Sequence, residues 1–510
     1  MSAAGKSRGA LAIVLHTHMP YVEGFGTWPF GEEWLWEAIA GCYLPLLDFL
    51  DARDPSLTLS ITPVLCDQLS APDLAERFHR FIDDTRRFTH AEDAAGLRAG
   101  GHAGLAAELE RAWSSDYEHA AQRMAARGGD LLRAFAPHVR WTSSATHAVL
   151  PLLATDAGAR LQIEAGIASH LDRFGGRSSC GGRDSGRRDG EFEDGRLGRA
   201  FGGWQGGFWL PECAHAPHLE PILAAAGIRS TCVELTRHHW LGAREHLRPL
   251  LSDSGIALFG IDRATISLVW SDAGYPADGL YRDYHRHTVH HHNPWRNDGD
   301  AYDHEPALAR AREHAADFVL RTRERLRRDG DGLPGGGLAV CALDTELLGH
   351  WWYEGLHWLE AVIEECASQG LELVRLDDAL ERFEPAPVGD AEWSASEWSA
   401  SSWGAGGNLS TWSGPAVADM AFAARAAELQ TLAAATEGRA GPAVVRELLA
   451  LQASDWAFMI SRGLAVPYAR ERYDGHRAAV AAALREGPQA SVEGLRELAV
   501  GADLALLLAP

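Results

Sequence analysis

Short runs of apolar residues recur along the chain, separated by longer stretches rich in Ala, Leu, Arg and Glu with helical spacing. The runs are LAIVL (11–15), LTLSITPVL (57–65), VRWTSS (139–144), GFWLP (207–211), IRSTCVE (228–234), IALFGI (256–261), LAVCAL (338–343) and LELVRL (371–376). Runs this short and this continuously apolar read as strands, and their alternation with helical stretches predicts the βα units of a parallel sheet. Each run gives way to polar residues: His16 and His18, His147 after a short loop, then Glu212, Glu234, Asp262, Asp344 and Asp377. In a parallel barrel the loops leaving the carboxyl ends of the strands converge on one face, so ionisable residues at that end predict a site there. A doubly wound open sheet would also concentrate function at strand ends, but no dinucleotide-binding or P-loop glycine pattern follows any run. The expected fold class is therefore α/β, a (β/α) barrel of seven or eight strands.

The helical spacing between residues 70 and 137 runs too long for one barrel helix and predicts a helical insertion. Residues 174–207 are dominated by Gly, Arg, Asp and Ser and cannot bury enough apolar surface to order themselves, which predicts a mobile insert. Strand signals stop near residue 386. The resulting division is a barrel over 9–385, a Trp-rich loop over 386–414 and a helical region over 415–510, where AVADMAFAARAAELQTLAAA and VVRELLALQASDWAFMISR have amphipathic periodicity.

A net charge of −23 disfavours nucleic acid and anionic membranes as partners, since both need clustered Lys and Arg. The seven cysteines (42, 66, 180, 213, 232, 341, 366) are odd in number, lack CxxC spacing and read as reduced thiols, which points to the cytoplasm. The apolar run near the N-terminus is too short for a signal peptide or a membrane span. Tryptophan changes the picture more, because 18 occur against 10 Tyr and several lie among Gly and Ser. Trp34, Trp36 and Trp141 suit a core. Trp393, Trp398, Trp403 and Trp412, in EWSASEWSASSWGAGGNLSTW, have no apolar face around them and read as exposed platforms for sugar rings.

Three kinds of chemistry fit the polar strand ends. Two carboxylates from different strands, best Glu212 and Asp344, could cleave a glycosidic bond, by retention if about 5–5.5 Å apart and by inversion if farther. A metal-dependent hydrolase could use His16 and His18, whose alternation places both imidazoles on one side. His285, His287, His290, His291 and His292 form a denser cluster, but their turn-forming neighbours make it read as a solvated surface loop. A non-catalytic glucan-binding protein would keep the Trp platforms and use the acids structurally.

Five segments in order resemble glycoside hydrolase family 57, and within it the branching enzymes. They are HTHMPYV with WPFGEEWLWEA (16–22 and 28–38), SSATHAVLPLL (143–153), GFWLPECAH (207–215), ALDTELLGHWWYEG (342–355) and SSWGAGGNLSTW (401–412). The resemblance implies an incomplete (β/α)7 barrel with a helical C-terminal domain and a retaining mechanism with no metal or organic cofactor. By position, it implies Glu212 as nucleophile and Asp344 as general acid/base. It implies His16, His18 and His147 around the attacked glucose, and Trp28, Trp270, Trp403 and Trp412 along the glucan cleft. The expected substrate is an α-glucan such as amylose, glycogen or a malto-oligosaccharide. The expected activity is transfer of an α-1,4-glucan segment to a 6-hydroxyl, with hydrolysis or 4-α-transfer as the alternative. Two features depart from the family pattern: residues 235–255 are compact and lack Tyr, and FGID (259–262) has Ile261 where Arg is expected, with Arg263 displaced.

Overall fold

The computed structural model describes residues 9–175, 204–388, 399–491, 494–495 and 498–508. The expected mobile insert (174–207) and the residues Trp393 and Trp398 fall largely or wholly outside them. Ten strands are described: β1 (Ala10–Thr17), β2 (Thr58–Ile61), β3 (Val139–Ser143), β4 (Phe208–Trp209), β5 (Ser230–Val233), β6 (Leu250–Leu251), β7 (Ala257–Gly260), β8 (Leu338–Asp344), β9 (Glu372–Leu373) and β10 (Ala386–Pro387). One sheet runs β4-β3-β2-β1-β8 and a second runs β10-β6-β7-β5. Two weak seams join them into a ring. Gly207 bridges in parallel to Ser230, and the Asp262 amide donates to the Val340 carbonyl at 2.8 Å. Seven parallel strands, β1–β5, β7 and β8, thus close an irregular barrel, in line with the fold expected from the apolar runs.

The strands are almost wholly buried because the ring is covered by helices outside and filled by side chains inside. All eight residues of β1 are buried. The run at 371–376 behaves differently. Only Glu372 and Leu373 pair, and they do so with Ala10 and Leu11, on the stretch of β1 that precedes its pairing with β2. It is an edge filler, and the acid after it is structural: Asp377 accepts from the Trp141 indole N–H at 2.8 Å.

Between residues 70 and 137 lie helices Leu74–Arg80, Arg87–Ala99, Ala103–Ala112, His119–Ala126 and Leu131–Phe135. The C-terminal region consists of helices Ala418–Thr436, Pro442–Leu451, Ser454–Arg462, Val466–Glu486 and Leu504–Leu508. Its apolar core includes Ala145, Leu161 and Ala165 from the barrel side, so the two share packing. The buried Glu428 carboxylate accepts from the amides of Ala154 and Thr155 and the Thr155 hydroxyl, binding the helical region to the start of helix Asp156–Phe174. Among the described residues no helix is long and apolar enough to cross a membrane. The six described cysteines are free and buried.

Candidate active site

Glu212 sits three residues beyond β4, in a turn whose backbone is left-handed at both Glu212 (φ 61°) and Cys213 (φ 47°). Such conformations cost a non-glycine residue of the order of 1 kcal/mol or more and persist only where surroundings enforce them. Here the Trp403 amide donates to the Glu212 carbonyl at 3.0 Å, and the Cys213 amide donates to Leu210 at 2.9 Å. His147, also left-handed at φ 58°, lies in the turn after β3. The tight approach of β4 to β3 depends on Gly207. A Cβ there would lie 1.9 Å from Cε2 of Trp141, so no larger residue fits.

The Glu212 carboxylate is held on both oxygens. Trp403 Nε1 donates to Oε2 at 2.8 Å, and the Ser454 hydroxyl donates to Oε1 at 2.8 Å. Burial pushes the Glu212 carboxyl up, while these two hydrogen bonds pull it down; its net shift is upward. Asp344 ends β8 and pairs in register with His16 of β1. Burial, then the charges of Glu346 and Glu212, push its carboxyl well above the usual carboxylate range. Two acids of unequal proton affinity thus face one site, the arrangement that lets one donate a proton while the other is ionised. Glu346 supports rather than lines this site: its Oε1 accepts from Tyr43 at 2.7 Å and from the His18 amide at 3.1 Å. The loop that carries it lies tight against a wide helical turn, because Gly349 (φ 106°) leaves room for the Gly41 carbonyl, which a Cβ would approach to 2.1 Å.

The three expected histidines converge. Nε2 of His16 lies 3.0 Å from Nε2 of His147, and the ring of His18 stacks on that of His147 with centroids 3.9 Å apart. Burial, then the neighbouring His18 charge, holds His16 and His147 well below the usual histidine value. Burial pulls His18 down as well, but Asp455, 3.0 Å from its Nε2, together with the charges of Glu346 and Glu212, outweighs this and raises it. Their other nitrogens face Ser60, Thr62 and Ser454. Among the described residues no group of three or more His, Cys, Asp or Glu is disposed to hold a metal ion. The cluster at 285–292 is not simply a solvated loop: His292 is buried, packs at a tilt against His90 and faces Thr89, while His290 pairs with Asp93 at 2.8 Å. It fastens its segment to the helical insertion.

The tryptophans divide. Trp28 and Trp270 are 52 % and 44 % exposed and free to stack. Trp403 is half-buried and spends its N–H on Glu212. Trp412, expected as an exposed platform, is instead 3 % exposed, packed with Val149 and Ala214. Gly404 brings the chain back over its ring, where a Cβ would stand 2.7 Å from Cζ3 of Trp412. The sequence did not single out Ser454 and Asp455, which open helix Ser454–Arg462. Their signal, Ser-Asp just before an amphipathic run, is an ordinary helix start and says nothing about which site it faces. The departures from the family pattern also find places: Arg263 pairs with Glu234 at 3.2 Å, and Asp262 with Arg325 at 3.2 Å.

A parallel barrel presenting two buried carboxylates of unequal acidity beside histidines and exposed indoles defines the class of carbohydrate-active enzymes. The model of Glycosyl hydrolase family 57 matches residues 194–391, and that of the 1,4-alpha-glucan branching enzyme C-terminal domain matches 416–498. A 1,4-alpha-glucan branching enzyme of Thermococcus kodakarensis is 30 % identical over 91 % of this chain and 72 % of its own length. A probable 1,4-alpha-glucan branching enzyme of Mycobacterium tuberculosis is 32 % identical over 97 % of this chain and 96 % of its own. The crystal structure of a branching enzyme from Pyrococcus horikoshii superimposes with a TM-score of 0.82 at 29 % identity, covering 98 % of this chain and 97 % of that one. The chain belongs to glycoside hydrolase family 57, alongside its branching enzymes.

Proposed function

We propose that the protein is a retaining 1,4-α-glucan branching enzyme. The observation that carries the chemistry is the contrast between Asp344, pushed well up, and Glu212, whose upward push is opposed by two hydrogen bonds. Protonated Asp344 gives its proton to the glycosidic oxygen as Glu212 attacks the anomeric carbon, forming a glycosyl-enzyme and releasing the reducing-end fragment. Asp344, now ionised, takes the proton of an incoming 6-hydroxyl, and the transferred segment leaves Glu212 as an α-1,6 branch. His16, His18 and His147 surround the attacked glucose, and Trp28 and Trp270 offer indole faces to the glucan. Trp403 holds Glu212 through its indole N–H, and Trp412 packs in the apolar cluster next to it. The free, buried thiols suit a reducing cytoplasm.

Incubation with amylose, enzymatic debranching and chain-length profiling test the activity. New α-1,6 linkages are expected; their absence with continued chain shortening would replace branching by hydrolysis or 4-α-transfer. That second reading is favoured by one observation, the compact, Tyr-free segment at 235–255. Glu212→Ala and Asp344→Ala should each lower turnover by at least about a thousandfold, and near-normal turnover in either would overturn that residue's role.

A further inference from the structure

We propose that Ser60, His16, His147 and Ser454 form a one-way chain of hydrogen bonds ending on Glu212, with Ser454 of the C-terminal helical region as a positioning residue for the nucleophile. This rests on Glu212 being the nucleophile. An ionised carboxylate only accepts, so the Ser454 hydroxyl, 2.8 Å from Oε1, must donate to it. That hydroxyl has one proton. Toward Nδ1 of His147, at 2.9 Å, it therefore accepts, and His147 must carry its proton on Nδ1. A neutral ring then has a bare Nε2, which must accept from His16 Nε2 at 3.0 Å. His16, with its proton on Nε2, has a bare Nδ1 that accepts from the Ser60 hydroxyl at 3.2 Å. With both rings neutral, each proton position follows from the one before, starting at Glu212. The contact between the two Nε2 atoms admits one proton only, so the two rings cannot both be imidazolium while the chain is intact. Burial and the charge on His18 act in the same sense.

Ser454 is placed by backbone as well as side chain. Its amide donates to the His147 carbonyl at 3.2 Å, and Ala453 bridges Ala148. It opens a nine-residue helix whose first turn brings partial positive charge toward the carboxylate. The other titratable groups around Glu212 are Asp344 at the end of β8, His18 beyond β1, Asp455 from the same helix, and Cys213 beside it in the turn. None of these donates to Oε1. His147 Nδ1 lies 3.8 Å from it, too far for a direct bond.

The test compares Ser454→Ala and Ser454→Thr. Loss of a hydrogen bond to a charged group is expected to lower kcat/KM on amylose about 10- to 100-fold and to raise the acid limb of the pH profile by about one to two pH units. Thr keeps the hydroxyl and should restore most of the rate and the limb, which a purely structural role for the serine would not require. In the wild type, nitrogen-15 spectra of histidine-labelled protein should show His147 protonated on Nδ1 and His16 on Nε2. His147 protonated on Nε2, or a Ser454→Ala acid limb and rate equal to wild type, would overturn the chain. Glu212→Ala separates the two ideas. If that variant stays active, the nucleophile assignment falls; if it is dead while Ser454→Ala is normal, the chain falls alone.

Discussion

Replacing Glu346 by Gln should make the protein more stable at neutral pH and less active at alkaline pH. Burial pushes the Glu346 carboxyl up to about 7 from an ordinary 4.5, against the pull of its bonds to Tyr43 and to the His18 amide and of the His18 charge. A carboxyl raised in the folded state holds its proton more tightly there than in the unfolded chain. Its contribution is fully present below pH 4.5 and is lost as pH rises to about 7. That interval corresponds to about 3 kcal/mol. Gln has no such loss. Its carbonyl oxygen can still accept from Tyr43 and from the His18 amide, so the two bonds to Oε1 survive. The stability difference between variant and wild type should therefore grow by about 3 kcal/mol between pH 4.5 and 8. Activity moves the other way. Above pH 7 the charge on Glu346 is one of the forces keeping Asp344 protonated, together with burial and Glu212 and against His18. Without it Asp344 should lose its proton about one pH unit earlier, drawing the alkaline limb of kcat/KM down by the same amount. Tyr43 and Cys42, the other titratable groups beside Glu346, are both pushed well up and stay neutral across this range. Denaturant unfolding and pH–rate profiles measured from pH 5 to 9 read both effects. A stability difference that stays flat with pH, or an alkaline limb that does not move, would refute this account of Glu346.

Gly207→Ala should lower stability by about 3 kcal/mol, because the added methyl meets a Trp141 ring fixed by its bond to Asp377; adding Trp141→Phe should recover part, and a wild-type melting temperature for Gly207→Ala alone would contradict the packing described. Trp412→Ala should cost about 3–5 kcal/mol as a buried ring, whereas Trp270→Ala should leave the melting temperature nearly unchanged and raise KM for long glucans several-fold; the reverse pattern would restore Trp412 as the platform. Asp455→Asn removes the largest of the charges that raise His18 against burial, so the His18 imidazole should titrate at lower pH in proton NMR, and an unshifted titration would show that the other carboxylates hold it up.

Much of this was legible along the chain. An apolar run flanked by helical spacing is a local pattern, and β1 to β5, β7 and β8 lie within the runs at 11–15, 57–65, 139–144, 207–211, 228–234, 256–261 and 338–343 or extend them by one or two residues. Strand ends also place polar residues on one face by topology alone, which is why Glu212, Asp344, His16, His18 and His147 could be singled out before any contact was known. The run at 371–376 misled because a partly exposed edge filler and a barrel strand can share the same local composition. Trp412 misled for a related reason: Gly and Ser neighbours mark a loop, but a loop folding back on itself buries its ring as fully as a helix would.

The sequence alone determined the alternation of elements, the family and the residue types at the strand ends, because these depend on near neighbours and spacing. The tertiary structure alone decided the proton affinities and proton positions. Asp344 is pushed well up by burial first, and then by the charges of Glu346 and Glu212 in the same enclosure. His18 is raised chiefly because residue 455 reaches it from a helix more than four hundred positions away, with Glu346 and Glu212 adding to it. Electrostatic interactions fall with distance in space and with the water between charges, and neither quantity is written in the order of residues.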